Sequence, residues 1–242
     1  VNIQLTPDIL LQAYARGFFP MAESRDDPEI FWFAPEERGI LPVSPPRLPR
    51  RLVQLLRRTG WTVTFNKDFR GVIRGCATAR EGTWINAAIE EAYAGLFDAG
   101  HAASVEVWRG PELIGGVYGV KLGAAFFGES MFSRASNASK VALGHLLIRL
   151  NLAGYQLFDA QYVNPHLIQF GAEAVPRKEY LRRLSGAVAA QVSPLRAVDY
   201  SASSSASGAG VAAGLVSGSD SFVSAADDSA FAAALQSITQ TS

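Results

Sequence analysis

The sequence predicts an α+β fold: a small N-terminal domain at residues 1–36, a larger domain at 37–198, and a tail at 199–242. Three observations point to it. Hydrophobic residues make up 48% of the 242 and charged residues 18%, enough apolar material for a sizeable core. Some segments alternate apolar and polar residues, while others repeat apolar residues at helical spacing. From Ser104 onward the elements run β-β-β-α-β-α-β, an antiparallel meander feeding a helical crossover.

Each element has its own signal. Thr6-Pro7 opens a helix carrying Leu10, Leu11 and Tyr14, and Gly17 ends it. Phe18–Met21 is an apolar, turn-bound segment. Ile30–Phe33 is a buried strand closed by Pro35, and Gly39–Val43 is another. Pro49–Arg58 is an amphipathic helix with Leu52, Leu55 and Leu56 on one face and its arginines on the other. Trp61–Phe65 alternates like a strand, and Asp68–Thr78 is helical. Asn86 caps a helix with Ile89, Tyr93, Leu96 and Phe97 inside, ending at Gly100. Ser104–Trp108, Glu112–Leu122 and Ala124–Phe132 form the meander, with turns at Gly110-Pro111 and Gly123. Asn137 caps a long helix holding Val141, Leu143, Leu146, Leu147 and Leu150. Tyr155–Asp159, Pro165–Phe170, Glu173–Val175 and Arg177–Leu184 complete the body as strand, short helix, strand and helix. In the tail, Ser229–Ile238 is compatible with a short Ala-rich helix, and the rest reads as flexible. The order of meander, long helix and strand is that of GNAT-like (acyl-CoA N-acyltransferase-like) domains, an analogy of fold alone.

Composition excludes several classes. The single cysteine, Cys76, has no partner in the chain for a disulfide, and with three histidines it argues against structural zinc. No stretch of about 18 apolar residues exists to cross a membrane, and the N-terminal segment lacks a signal-peptide pattern. A cytoplasmic monomer is expected. Formal net charge is zero, with 22 bases against 22 acids, which at first sight argues against a nucleic-acid partner. The average conceals an uneven layout. Residues 201–242 hold 27 Ala, Ser or Gly, three acids and no base, so residues 1–200 carry a net +3. Between Arg47 and Arg80 nine bases face only Asp68. Such a run is either a set of solvated helix faces or a phosphate-binding surface, and the lack of sign-mixing favours the second.

Standard catalytic motifs are missing. Gly128–Phe132 is not G-x-S-x-G, and no P-loop occurs. Gly115–Gly119 lies inside a strand pattern and marks a bulge or close backbone approach. The junction Ser133–Ala138 before the long helix has no glycine, so the expected pyrophosphate nest for coenzyme A is absent. Two places remain. Glu129 is embedded between Phe126-Phe127 and Met131-Phe132. Asp159 and Gln161 lie two apart at a strand end, a spacing that aims carboxylate and amide together so that one polarises the other. The plainer alternatives are an Asp159 that caps the next helix and a Glu129 paired with Lys140 or an arginine.

The residues also carry a resemblance. Y-A-R-G-F-F-P-M at 14–21, G-T-W-I-N at 82–86, G-G-V-Y-G-V at 115–120, F-G-E-S-M-F-S-R at 127–134, A-S-K at 138–140, D-A-Q at 159–161 and F-G-A at 170–172 occur in order. Together they resemble the leucyl/phenylalanyl-tRNA-protein transferase family from about Thr6 to Leu184. The resemblance implies a GNAT-like aminoacyltransferase without cofactor or metal. It would move Leu, Phe or, less readily, Met from aminoacyl-tRNA to the N-terminal Arg or Lys of acceptor proteins, marking them for degradation. It implies a catalytic pair in Asp159 and Gln161. It implies an aminoacyl-adenosine end held by Glu129, Trp84, Tyr14 and Tyr93. Val117, Phe126, Met131, Leu143, Leu146 and Phe158 would line the side-chain pocket. Arg47, Arg50, Arg51, Arg57, Arg58, Arg70, Arg74 and Arg80 would face the tRNA. Met21 stands where many members carry Trp, and Ala103 replaces a common second histidine after His101. Pro45–Pro49 replaces the usual approach to the basic helix. Two other readings stay open: a coenzyme-A-dependent N-acyltransferase, and a tRNA-binding module without catalysis.

Overall fold

The computed structural model describes residues 5–79 and 82–195, with the side chain of Arg58 excepted. Arg80, the tail expected at 199–242 and the helix expected at Ser229–Ile238 lie outside the described residues. Thr6 caps α1 (Pro7–Ala15) by accepting from the Ile9 amide, and Pro7 occupies a first-turn position where no amide hydrogen is needed. β1 (Phe19–Met21) and β2 (Phe31–Phe33) form a two-stranded antiparallel ribbon. Within the turn-bound apolar segment at 18–21, Phe19–Met21 thus form a strand. β3 (Glu37–Leu41) starts two residues earlier than its apolar run suggests.

α2 (Arg50–Arg58), β4 (Thr62–Phe65), α3 (Phe69–Thr78) and α4 (Ala87–Asp98) follow as expected. Asp68 caps α3 and Asn86 caps α4 through their side-chain oxygens. The meander is β5 (Ala102–Arg109), β6 (Glu112–Leu122) and β7 (Ala125–Ser133). α5 (Ala138–Ala153), β8 (Leu157–Gln161), α6 (Pro165–Ile168), β9 (Glu173–Pro176) and α7 (Arg177–Ala189) complete the chain. Asn137 does not cap α5 with its side chain. It sits at φ 70°, and Ser133 Oγ instead accepts from the Ser139 amide at 3.1 Å.

The main sheet has the order β4-β5-β6-β7-β8-β3-β9. Neighbours are antiparallel except β7 and β8, which pair in parallel across the α5 crossover. The GNAT-like α+β expectation is borne out, with one addition: β3 comes from the N-terminal side of the chain and inserts between β8 and β9. Side-chain alternation divides the core into two layers. α2 and α5 cover one face, over Val105, Val107, Val117 and Phe126. α1, α3, α4 and α7 cover the other, over Tyr118, Val120, Phe127 and Leu157.

Candidate functional site

The site arises where two paired strands part. The β7–β8 register runs from Ala125 with Leu157 to Phe127 with Asp159 and stops there. Each strand then carries one extra residue against its other neighbour. Gly119 faces Gly128 and Tyr118 faces Ser130, so Glu129 is the bulged residue of β7. Gly39 faces Gln161 and Ile40 faces Asp159, so Ala160 is the bulged residue of β8. Bulges bend a strand and re-aim its side chains. Here they turn Glu129 and Gln161 toward a common cavity of about 270 Å³.

One wall of that cavity is apolar, from Val117, Met131, Leu143, Phe158 and Leu167. Phe19, Met21 and Trp84 line it as well, so the Trp84 expected at the nucleoside end lies on the cavity wall. Two expected pocket residues do not reach it. Phe126 is fully buried behind Phe158, with ring centroids 5.5 Å apart. Leu146 lies nearly one turn along α5 from Leu143 and packs into the closed core.

Glu129 forms the polar end. Tyr14 donates to its Oε1 at 2.7 Å and Tyr93 to its Oε2 at 2.8 Å, and the two hydroxyl oxygens are also in contact. Gln161 Nε2 donates to Oε1 at 3.4 Å. Tyrosines therefore replace the Lys140 or arginine partner anticipated for Glu129. Tyr14 and Tyr93 are themselves 0% exposed, Tyr14 lying on Phe127 with centroids 4.6 Å apart. Neither ring is exposed here, and their hydroxyls hold Glu129. Burial pushes the Glu129 carboxyl up to about 7, against the two tyrosine hydrogen bonds that favour its ionised form. Asp159 adds to the rise and Arg38 opposes it. Burial and the neighbouring carboxylate raise both tyrosine hydroxyls, so they stay protonated donors.

Asp159 and Gln161 do not point together. Asp159 is 0% exposed and grips Arg38, which donates from Nε at 2.8 Å and from Nη2 at 2.7 Å. Tyr180 Oη donates to the same carboxylate at 2.6 Å, and the Gln161 main-chain amide donates at 2.8 Å. The two-residue alternation fails because Ala160 is bulged and Gln161 sits at φ 57°. The carboxylate thus contacts the Gln161 backbone, not its amide side chain. Nor does Asp159 cap the next helix: Asn164 does, accepting from the Leu167 amide. Arg38, Tyr180 and Phe19 escape sequence reasoning. The only signal is an arginine opening an apolar strand, E-R-G-I-L, and it is one of 18 arginines.

The basic stretch divides between the layers. Arg47, Arg50, Arg51 and Arg57 are exposed on or just before α2, whose Leu52 and Leu56 pack over Gly144 of α5. Arg70 and Arg74 are exposed on α3, in the opposite layer, and Arg70 pairs with Glu91 at 3.5 Å and Asp98 at 3.1 Å. The stretch is not one continuous surface. Among the described residues, no group of three or more His, Cys, Asp and Glu could hold a metal ion. Among them, too, no helix is long and apolar enough to cross a membrane.

The family model for leucyl/phenylalanyl-tRNA protein transferase matches residues 40–185, and that of its N-terminal domain matches residues 3–36. A leucyl/phenylalanyl-tRNA-protein transferase of Cereibacter sphaeroides is 56% identical over 185 residues, covering 76% of this chain and 86% of the relative. Those of Rhodopseudomonas palustris strain HaA2 and Ruegeria sp. strain TM1040 are 55% and 54% identical over 188 and 184 residues. They cover 76% of this chain in each case, and 84% and 87% of the relatives. The chain belongs to the leucyl/phenylalanyl-tRNA-protein transferase family.

Proposed function

We propose that this chain, a cytoplasmic monomer, transfers Leu, Phe and less readily Met from aminoacyl-tRNA to the N-terminal Arg or Lys of proteins destined for degradation. The observation that carries the reading is one cavity with an apolar wall and a polar end formed by Glu129 and Gln161. The apolar wall suits an uncharged side chain of Leu or Phe size and rejects a charged one, which would lose its hydration there. Trp84, Phe19 and Met21 face the terminal nucleoside. A single strand end is commonly read by stacking, and Met21 supplies a thioether contact in place of an aromatic wall. The α2 arginines attract the acceptor stem. The division at residues 36 and 37 is supported by β2 ending at Phe33 and β3 opening at Glu37.

The aminoacyl ester is already activated, so the chain has to position an amine and manage one proton. The acceptor's α-amino nitrogen attacks the ester carbonyl carbon. A C–N bond forms, the ester C–O bond breaks, and the tRNA ribose hydroxyl leaves with the proton the amine gives up. A carboxamide is too weak a base to hold that proton near neutral pH, so Gln161 acts as a positioner. Its Nε2 is directed at Glu129, which leaves its carbonyl oxygen to accept from the incoming amine.

Radiolabelled Leu on Leu-tRNA, incubated with the chain and a peptide bearing an N-terminal Arg, tests the reading. Label enters that peptide, and a peptide with N-terminal Ala stays unlabelled. No label transfer by folded protein overturns it, and acylation of the peptide by acetyl-CoA instead would establish the coenzyme-A-dependent alternative.

A further inference from the structure

Three features outside the reacting atoms converge on Gln161. Its backbone is left-handed at φ 57°, a conformation that side-chain-bearing residues adopt only when their surroundings impose it. Its amide donates to Asp159 Oδ1, and the two oxygens of that carboxylate together accept from Arg38 Nε, Arg38 Nη2, Tyr180 Oη and this amide. And β3 passes directly beneath the turn. A Cβ on Gly39 would lie 2.6 Å from the Tyr162 carbonyl carbon and 2.8 Å from the Val163 nitrogen, so only glycine lets the two segments approach this closely.

Arg38 is built to hold that arrangement still. It is 1% exposed, and its guanidinium lies 4.5 Å from the Phe19 ring centroid and 4.7 Å from that of Tyr180. Its remaining nitrogen, Nη1, donates to the Gly17 carbonyl at 3.1 Å. A planar fork clamped between two rings and satisfied on three nitrogens fixes Asp159 in position and in angle, which a lysine would not do. Phe19 is also a wall of the cavity, so the same guanidinium ties that wall to the turn.

We propose that Arg38 and Gly39 form a buried seat for Gln161, with Arg38 a positioning residue that acts on the transfer reaction through Asp159 and the Gln161 main chain. Asp159 is then the link between seat and turn: it sets the Gln161 backbone so that the side chain reaches Glu129. The inference rests on the transferase reading above. It makes β3, 121 residues away in sequence from Asp159, part of the reaction's geometry.

A double-mutant cycle in the Leu-transfer assay tests it. Arg38→Lys is measured alone and in the Gln161→Ala background, with folding checked by circular dichroism. Arg38→Lys lowers kcat by roughly 10- to 100-fold, the range expected when a reacting group is displaced by about 1 Å, with KM for Leu-tRNA within about twofold. In the Gln161→Ala background the same substitution lowers kcat by less than about threefold, since the residue it positions is gone. A role confined to folding would reduce activity by the same factor in both backgrounds, and such multiplying losses overturn the seat. A raised KM with unchanged kcat overturns it as well. If Arg38→Lys does not fold, Tyr180→Phe, which removes one donor to Asp159 and keeps the ion pair, goes through the same cycle under the same criteria. Failure of the wild-type chain to transfer any Leu refutes the transferase reading itself; wild-type transfer with multiplying losses refutes only the seat.

Discussion

Glu129 illustrates how much a single residue's surroundings decide. Its carboxyl is raised from the ordinary 4.5 to about 7 in the folded chain. A carboxyl raised on folding binds its proton more tightly in the native state than in the unfolded one. Its contribution to stability is therefore full below about pH 4.5 and is lost as pH rises through 7. Glu129→Gln removes that loss. The variant's melting temperature relative to wild type should rise between pH 5 and pH 8, and a difference that stays flat across that window would mean the carboxyl ionises normally. The sequence revealed the three residues of the polar centre, Glu129, Asp159 and Gln161, because their motifs are distinctive. It did not reveal their partners. Tyr14 and Tyr93 are 79 residues apart in the chain and meet only when α1 packs on α4. Strand alternation misdirects Asp159, because a bulge is invisible in a pattern of period two.

At the scale of elements, the splayed strands make the cavity, and small residues make the splay. Gly128 lies just past the last β7–β8 pair, where a Cβ would come within 2.6 Å of Phe158 Cζ. Phe158 is buried against Phe126, so its ring has no room to retreat except into the cavity. Gly128→Ala should destabilise the chain by roughly 1–3 kcal/mol, as overpacking usually does. It should also narrow the side-chain pocket. The expected outcome in the transfer assay is a larger fall in kcat/KM for Phe-tRNA than for Leu-tRNA; equal falls would mean that Phe158 does not bound the pocket. The helices were the most legible elements, since Thr6, Asp68 and Asn86 announce three starts with side-chain caps. β1 was least legible: three residues containing a proline give no alternation to read.

For the whole molecule, the decisive facts are which segments share a face. The run from Arg47 to Arg80 looks like one patch in sequence and is split by the sheet, with α2 on the layer of α5 and α3 on the layer of α4. α5, the helix on which α2 packs, contributes Leu143 to the cavity. Reversing Arg50, Arg51 and Arg57 to Glu should weaken tRNA binding and make it less sensitive to salt. The slope of log affinity against log salt should flatten by about one for each phosphate no longer neutralised. Reversing Arg70 and Arg74 should do much less, because α4 acids already engage Arg70. Equal effects from the two sets would place the RNA across both layers. The meander, crossover helix and following strand could be anticipated from the order of elements alone. The insertion of β3 between β8 and β9 could not, since nothing in five residues of strand names a partner more than a hundred positions away.

That insertion bears on how the molecule is made. A ribosome releases β3 early, while β8 and β9 emerge only after the meander and α5, so residues 37–41 wait for both of their sheet neighbours. Until then Arg38 has no carboxylate to grip, and the turn at Gln161 does not yet exist. A nascent chain that has not yet reached Leu157 lacks Phe158, Ala160 and Gln161, and with them part of the cavity's lining. The cavity therefore forms only after β8 has been made and has paired with β3 and β7.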